Sequence, residues 1–203
     1  LSLLSKRFTH NDKFIPENYQ DDVAEGFFYI LDSFQKQDAP GRLAVLNGPP
    51  GTGKTHFIRS LIHSNRKAQY VILPNKLITE LDGPDFATLL LRNADENSGP
   101  IVLIIEDADL SLAKRDALNT SDVSSLLNYT DGIFGTLLDL KIIATTNLEK
   151  LDLDPALSRP GRLLKHLEVG ALPPEKANDI YKRLTGTVED KYHIPKMLAE
   201  VYA

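Results

Sequence analysis

A glycine-rich stretch carries the strongest chemical signal in this sequence. Residues 48–55 read Gly-Pro-Pro-Gly-Thr-Gly-Lys-Thr, which fits the pattern G-x-x-x-x-G-K-[ST] at every fixed position. Glycines let successive backbone N–H groups point into one hollow, and the N-terminus of a following helix adds positive charge there. The stretch therefore predicts a loop that wraps phosphate groups.

Each part of this loop has an expected task. The backbone N–H groups of residues 51–55 hold a β-phosphate, Lys54 bridges the β and γ oxygens, and the Thr55 hydroxyl binds Mg²⁺. A glycine turn that happens to precede a helix is the alternative, but the flanking strand and helix patterns disfavour it. The predicted nucleotide-binding residues are Gly48, Pro49, Pro50, Gly51, Thr52, Gly53, Lys54, Thr55, His56 and Asn147.

Two carboxylates follow an apolar run directly. Residues 101–105 read Ile-Val-Leu-Ile-Ile and end in Glu106 and Asp107. A carboxylate at the tip of a buried strand supplies the negative charge that a magnesium shell needs, and a second one can deprotonate an attacking water. We predict that Glu106 holds Mg²⁺ through water and that Asp107 is the general base. The alternative is that these acids only begin a solvated loop.

Two later segments offer further polar groups. Asn147 closes the apolar run 141–146, at the edge of the sheet where ligands of open α/β folds collect, and could position the lytic water or sense a γ-phosphate. Arg159 and Arg162 stand in a rigid Arg-Pro-Gly-Arg turn, which suits a charge offered to the γ-phosphate of a neighbouring subunit. Surface arginines in ordinary salt bridges are the alternative.

Alternating apolar runs and amphipathic segments must position these residues. This alternation predicts a parallel sheet with helices on both faces. Strands are expected at 43–46, 70–73, 101–105 and 141–146, with a weaker fifth near 167–169. Helical segments are expected at 23–34, from 54 onward, at 76–93 with a break at 82–84, and at 121–130, with a short turn at 155–158.

The pattern changes beyond Leu172. Pro173 and Pro174 open one helix, and Met197 to Tyr202 form a second short one. We therefore expect two domains. Residues 1–172 form the nucleotide-binding α/β domain with its N-terminal helix. Residues 173–203 form a short helical lid, and a truncated lid is one interpretation of its length. Because residue 1 is Leu rather than Met, a processed or excised chain is expected.

Composition limits the classes of function. The 203 residues carry a net charge of −5 and no cysteine, which rules out disulfides, zinc–thiolate sites and a thiol nucleophile. The acidic balance gives no general attraction for nucleic acid or an anionic membrane. We find no apolar run near the ~18 residues of a membrane span, and the five histidines form no ligand cluster. A cytoplasmic globular protein is expected.

Four motifs in order make the sequence resemble the AAA+ ATPase family, specifically the AAA group with a second region of homology. These are the loop 48–55, the acidic strand end 101–107, Thr-Thr-Asn at 145–147 and Asp-Pro-Ala-Leu-Ser-Arg-Pro-Gly-Arg at 154–162. Residues 124–132 are also similar to the family's L-L-x-x-x-D-G helix. The resemblance spans residues 43 to 172.

The resemblance implies an α/β P-loop NTPase with strand order 5-1-4-3-2 and a lid. It also implies Mg²⁺-dependent ATP hydrolysis, a homo-oligomeric ring of six subunits, and the remodelling of an unidentified protein partner. Residues around Phe14 and Ile15 would approach the adenine. The family's motifs map as follows: Lys54 and Thr55 to the first Walker motif, Glu106 and Asp107 to the second, Asn147 to sensor 1, and Arg162 to the arginine finger.

Departures from the family pattern keep other functions open. The second Walker motif reads Glu106-Asp107 instead of Asp-Glu, Lys165 replaces a second arginine, and residues 73–76 replace an aromatic pore loop. A nucleotide-gated assembly switch with little turnover is one alternative, favoured by the inverted Glu-Asp order. A loader that acts on DNA is another, although the acidic balance disfavours it.

Overall fold

The computed structural model describes residues 12–36, 39–93, 99–113 and 138–203, together with 125, 126, 128 and 136. The predicted helix at 121–130 and the similar motif at 124–132 fall mostly outside these described residues. Within them, Ser125, Leu126 and Asn128 are helical.

A parallel five-stranded sheet forms the centre of the described structure. Its order is β2-β3-β4-β1-β5, and every neighbouring pair is parallel. This is the predicted order 5-1-4-3-2, given from the opposite edge, so the predicted fold class is confirmed. The strands are β1 (Leu43–Asn47), β2 (Gln69–Leu73), β3 (Ile101–Ile105), β4 (Lys141–Thr146) and β5 (Leu163–Glu168).

The fifth strand begins earlier than its sequence pattern predicts. It starts at Leu163 instead of near Leu167. Because β5 is an edge strand, Lys165 and His166 are only half-buried, and such side chains interrupt the apolar run that marks a covered strand. The first residues of this edge strand therefore lack the apolar run by which the other strands were predicted.

Helices occupy the connections between strands. The predicted helix over 76–93 is a 3₁₀ segment, Asn75–Asp82, followed by an α-helix from Pro84, because a proline disfavours helical geometry in the residue before it. None of the described helices is long and apolar enough to cross a membrane. The α-helices are α1 (Asp21–Phe34), α2 (Lys54–Ser64), α3 (Pro84–Asn93), α4 (Asp109–Leu112), α5 (Pro174–Thr185) and α6 (Leu198–Tyr202), and a 3₁₀ turn lies at Pro16–Asn18.

Apolar side chains cover both faces of the sheet. Strands β1, β3 and β4 are buried along their whole length, which explains why their sequences lack alternation. On one face α1 and α2 pack through residues such as Phe27 and Phe57. On the other, α3 contributes Phe86 and Leu90. Helices α5 and α6 share a third, smaller cluster that includes Ile180 and Leu198.

A buried charge anchors the beginning of β4. The Nζ atom of Lys141, whose side chain is 1% exposed, lies 2.8 Å from Oδ1 of Asp139. It also donates to the carbonyl oxygen of Lys36, just after α1, at 3.1 Å. Asp139 has a left-handed backbone with φ 45°, which aspartate tolerates better than most residues. This contact fixes the strand whose far end carries Thr145 and Thr146.

We predict that Asp139→Asn lowers the free energy of unfolding by about 2 kcal/mol, because it leaves a buried ammonium without its counter-charge. Lys141→Met should cost less, since it removes the charge and keeps the volume. The double variant should therefore be more stable than Asp139→Asn alone. Urea unfolding followed by circular dichroism measures all three, and a double variant less stable than either single one would contradict the charge argument.

Candidate functional site

A cavity of about 710 Å³ lies at the carboxyl ends of β1, β3 and β4. Because the strands are parallel, the loops that follow them meet at this edge of the sheet. The residues singled out from the sequence that line the cavity include Lys54, Thr55, Glu106, Asp107 and Asn147. The structure thus brings the predicted phosphate loop and the predicted acids to one place.

The loop between β1 and α2 depends on glycine at three positions. Gly48, Gly51 and Gly53 have φ angles of 146°, 83° and 99°, which side chains rarely permit. A Cβ on Gly48 would lie 2.0 Å from the carbonyl oxygen of Val169. The loop therefore follows a path that only bare backbone allows, and it ends at the N-terminus of α2, where an anion is favoured.

Lys54 occupies the centre of this loop. Its Nζ donates to the carbonyl oxygens of Gly48 at 2.6 Å and Pro49 at 3.0 Å. Burial lowers the pKa of Lys54, whereas the nearby Asp107 and Asp109 carboxylates raise it. The loop's own carbonyl groups hold the ammonium in place, so it must turn from them to reach a phosphate.

The predicted base and the predicted sensor are in direct contact. Asn147 Nδ2 donates to Asp107 Oδ1 at 2.7 Å. Asp107 has a left-handed backbone with φ 56°, and the Asn75 side chain donates to its carbonyl oxygen at 3.0 Å. Asn147 uses one acceptor site of Oδ1, so the carboxylate keeps acceptor sites for a proton from water. This geometry suits a base with an amide beside it.

Asp109 fixes the position of Asn147, a role that sequence reasoning did not assign. Its Oδ1 accepts the backbone N–H of Asn147 at 2.9 Å and also the hydroxyl of Thr146. The carboxylate therefore ties the end of β4 to the first turn of α4. A third acid so soon after the apolar run was the sequence feature that could have indicated this role. Its hydrogen-bond partner Asn147, however, lies 38 residues away in sequence.

Residues from the N-terminal and C-terminal parts of the chain also line the cavity. Ile15 lines it as expected for the N-terminal stretch. Phe14 does not; its ring stacks on Phe27 with centroids 3.6 Å apart. From the C-terminal side, the backbone N–H of Ala199 in α6 donates to the Gly51 carbonyl oxygen at 2.9 Å.

Several residues here were missed from sequence. Asn18, Leu198, Ala199 and Tyr202 line the cavity, and Asn18 Nδ2 donates to the Tyr202 hydroxyl at 2.9 Å. These two residues are 184 positions apart, so no local pattern could link them.

His56 lines the cavity as predicted for a nucleotide-binding residue. Its Nδ1 lies 3.2 Å from the hydroxyl of Tyr19, which donates to the Gly53 carbonyl oxygen at 3.0 Å. Burial lowers the pKa of His56, while Asp12 raises it and Arg59 lowers it. The imidazole therefore favours its neutral form and presents no fixed charge to the cavity.

Neither arginine of the Arg-Pro-Gly-Arg turn lines this cavity. Arg159 is exposed, and Arg162 is half-buried with Nη1 donating to the Ala156 carbonyl oxygen at 2.9 Å. The structure thus does not bring them together with Lys54 and Asp107 of the same chain. A role toward a neighbouring subunit remains a prediction.

The predicted magnesium ligands fit that ion. Thr55 and Glu106 are both exposed and both line the cavity, and they present oxygen donors, which Mg²⁺ prefers. The described residues hold no group of three or more His, Cys, Asp or Glu able to form a cage. Mg²⁺ commonly binds one or two protein groups and completes its shell with water and phosphate oxygens, so this donor set is sufficient.

Comparison with known proteins identifies similar chains. The model of the ATPase family associated with various cellular activities (AAA) matches residues 44–171. A 26S proteasome regulatory subunit 6B homolog from Dictyostelium discoideum is 36% identical over 138 residues, 64% of this chain and 34% of the relative. The Saccharomyces cerevisiae homolog is 32% identical over 161 residues, 75% of this chain and 36% of the relative.

A probable 26S proteasome regulatory subunit 4 from Caenorhabditis elegans is 34% identical over 146 residues, 68% of this chain and 32% of the relative. The chain thus spans about a third of the length of these curated relatives.

We predict that Lys54→Ala weakens ATP binding about 10-fold or more, because it removes the cation that the loop holds beside the phosphate position. Lys67→Ala is the matched control, since Lys67 is an exposed lysine in the turn before β2, away from the cavity. Titration with a fluorescent ATP analogue measures both affinities. Equal affinities of Lys54→Ala and the parent would show that this loop does not bind the triphosphate.

Proposed function

Because this chain belongs to the ATPase family associated with various cellular activities (AAA), we propose that it hydrolyses ATP and couples the cycle to protein remodelling in an oligomeric ring. The observation that carries the proposal is the 2.7 Å contact between Asn147 and Asp107 beside the phosphate loop. It supplies a base and an orienting amide at the place where a γ-phosphate would end.

Nucleotide binding uses the loop backbone and one cation. The N–H groups of residues 51–55 surround the β-phosphate, and Lys54 leaves the carbonyl oxygens of Gly48 and Pro49 to bridge the β and γ oxygens. Ile15, Asn18 and residues of α6 also line the cavity, and we assign the base and ribose to this part of it. The lid, residues 173–203, thereby takes part in holding the nucleotide.

Hydrolysis needs a water in line with the γ-phosphate. The Asp107 carboxylate accepts a proton of that water as its oxygen forms a bond to the γ-phosphorus. The bond from phosphorus to the β–γ bridging oxygen breaks at the same time, so that ADP leaves with that oxygen and phosphate is released, while Asn147 keeps the carboxylate oriented. Thr55 and, through water, Glu106 would hold Mg²⁺, which would supply positive charge to the phosphate groups. Thr145 supports the backbone of Asp107, whose N–H donates to the Thr145 hydroxyl oxygen at 3.4 Å.

Charge on the transferred phosphoryl group calls for a further cation. Arg162 of a neighbouring subunit supplies it in our proposal, with Arg159 packing at the interface. This arrangement requires a ring, for which six like subunits are the simplest form. The similar proteins are each named as a subunit of the 26S proteasome, which favours a ring of unlike subunits as the alternative.

The remodelled partner is a protein in this proposal. The relatives are named as 26S proteasome regulatory subunits, which favours a protein partner over DNA. A net charge of −5 also argues against a loader that acts on DNA, because binding to nucleic acid depends on positive charge. A cytoplasmic location is proposed on the absence of cysteine.

A second candidate is a nucleotide-gated assembly switch. The inverted Glu106-Asp107 order favours it, because the shorter aspartate at the second position holds its carboxylate farther from the phosphate than a glutamate would. Such a protein would bind ATP, assemble and turn over rarely. Its turnover distinguishes it from the motor.

We predict that Asp107→Asn lowers the ATP turnover number by about 100-fold or more, because an amide cannot accept the water proton. ATP affinity should stay within about threefold of the parent, since the phosphate contacts are unchanged. Steady-state phosphate release and ATP titration measure the two quantities. Asp152→Asn is the control, an exposed aspartate outside the cavity. Negligible release by both the parent and Asp107→Asn would support the switch instead.

We predict that Arg162→Ala and Asp107→Asn, each inactive alone, regain activity when mixed. A site then forms between an intact base on one subunit and an intact arginine on the next, at about one quarter of interfaces for random mixing in a ring. Phosphate release by the mixture tests this. Mixing Arg162→Ala with the Asp107→Asn/Arg162→Ala double variant is the control. A mixture with no more activity than its parts would argue against an arginine supplied across the interface.

A further inference from the structure

Asn47 is the point where three segments around the site meet. It is the last residue of β1, is fully buried, and directly precedes Gly48 of the phosphate loop. Its side chain contacts the segment after β4 and one residue of β5. No role was assigned to Asn47 from the sequence.

The direction of its hydrogen bonds is fixed by its partners. Asn47 Nδ2 lies 3.0 Å from the carbonyl oxygen of Glu149 and 3.4 Å from that of Leu148. Carbonyl oxygens only accept, so the amide nitrogen must face them and both of its protons are used. Oδ1 therefore faces His166 Nε2, at 2.7 Å.

This orientation also fixes the state of His166. Since Asn47 Oδ1 can only accept, His166 Nε2 must carry a proton. The half-buried imidazole thus donates to Asn47, which in turn donates to two main-chain carbonyl groups. The side chain of Asn47 keeps no spare donor, and a shift of one partner breaks a hydrogen bond of this buried side chain unless the other partners follow.

Each end of this chain of hydrogen bonds leads to a residue of the proposed reaction. Leu148 and Glu149 follow Asn147, whose side chain contacts the base Asp107. His166 belongs to β5, which begins directly after Arg162. The carbonyl oxygen of Arg162 accepts the N–H groups of Arg42 and Leu43 at 2.8 and 2.9 Å, so the arginine turn is joined to the start of β1 as well.

We infer that Asn47 and His166 are positioning residues that link Asn147, next to the γ-phosphate position, to the strand that carries Arg162. The inference rests on the proposed ATP hydrolysis and arginine finger. A displacement of Asn147 on nucleotide binding pulls residues 148–149, Asn47 follows because its two N–H groups are bound there, and β5 follows through His166. The nucleotide state of one subunit thus sets how its arginine meets the next.

The test uses the mixed ring, in which one subunit only supplies the arginine. His166→Ala is introduced into the Asp107→Asn subunit, and this protein is mixed with Arg162→Ala, whose own His166 is intact. We expect the recovered turnover to fall about fivefold or more, the usual size of a coupling between sites. ATP affinity of the donor should stay close to that of Asp107→Asn, since the imidazole lies outside the cavity. Its melting temperature should fall, because Asn47 Oδ1 loses its donor, but should stay above the assay temperature.

Two further variants separate positioning from general damage. His166→Gln should restore at least about half of the recovered turnover, because its amide N–H can donate to Asn47 Oδ1. His193→Ala, an exposed histidine of the lid region, should have no effect. Full recovered turnover with the His166→Ala donor would overturn the inference, and so would a His166→Gln donor no better than His166→Ala.

A second measurement does not depend on turnover. Hydrogen exchange at residues 159–168 in Asp107→Asn should slow when ATP is added, and the change should vanish in Asp107→Asn/His166→Ala. An unchanged ATP response in the double variant would overturn the link. If the Asp107→Asn and Arg162→Ala mixture recovers nothing, the proposed arginine finger fails by itself, and the exchange result still decides whether Asn147 and β5 are coupled.

Discussion

Close approach of bare backbone is the constraint on which this structure depends. The loop after β1 passes within van der Waals reach of Val169 on one side and of Tyr19 and Leu198 on the other. A Cβ on Gly48 would lie 2.0 Å from the carbonyl oxygen of Val169, and one on Gly53 would lie 2.9 Å from a terminal methyl group of Leu198. Only glycine permits both the path and these φ angles without strain, so the shape of this predicted phosphate loop depends on neighbours that leave room for main chain alone.

A second constraint is the burial of polar side chains at the carboxyl ends of β1 and β4. Asn47 and Thr146 are fully buried there, and a buried polar group without a partner costs more than a typical hydrogen bond contributes. Asp109 satisfies Thr146, and His166 with residues 148–149 satisfies Asn47. Polar groups that must be paired are also held in place, which is what an orienting amide beside a catalytic base requires.

The cavity is completed by elements that are distant in the chain. The 3₁₀ turn before α1 supplies Asn18, and α6 supplies Leu198 and Tyr202. Arg183 of α5 also donates to the Asn18 side chain. Nucleotide contacts with these residues would therefore join the small third cluster of apolar residues to the sheet. The lid thus has a physical reason to respond to nucleotide binding.

Sequence alone determined the features that rest on local chemistry. The glycine spacing of residues 48–55 predicted the phosphate loop, the uninterrupted apolar runs predicted the covered strands β1, β3 and β4, and the motif order predicted the family, which is confirmed. Local patterns suffice here because backbone conformation and two-sided burial select residue types position by position. The start of β5 was missed because a half-exposed edge strand selects residue types only weakly.

Only the tertiary structure decided which polar groups meet. Asp109 and Asn147, Asn18 and Tyr202, and Asn47 and His166 are separated by 38, 184 and 119 positions. Such pairs form where strand ends and chain termini converge. Each of these residue types can hydrogen-bond with many partners, so the type alone does not identify the partner. A hydrogen bond depends on distance and direction in space, and the order of residues along the chain fixes neither until the sheet has assembled.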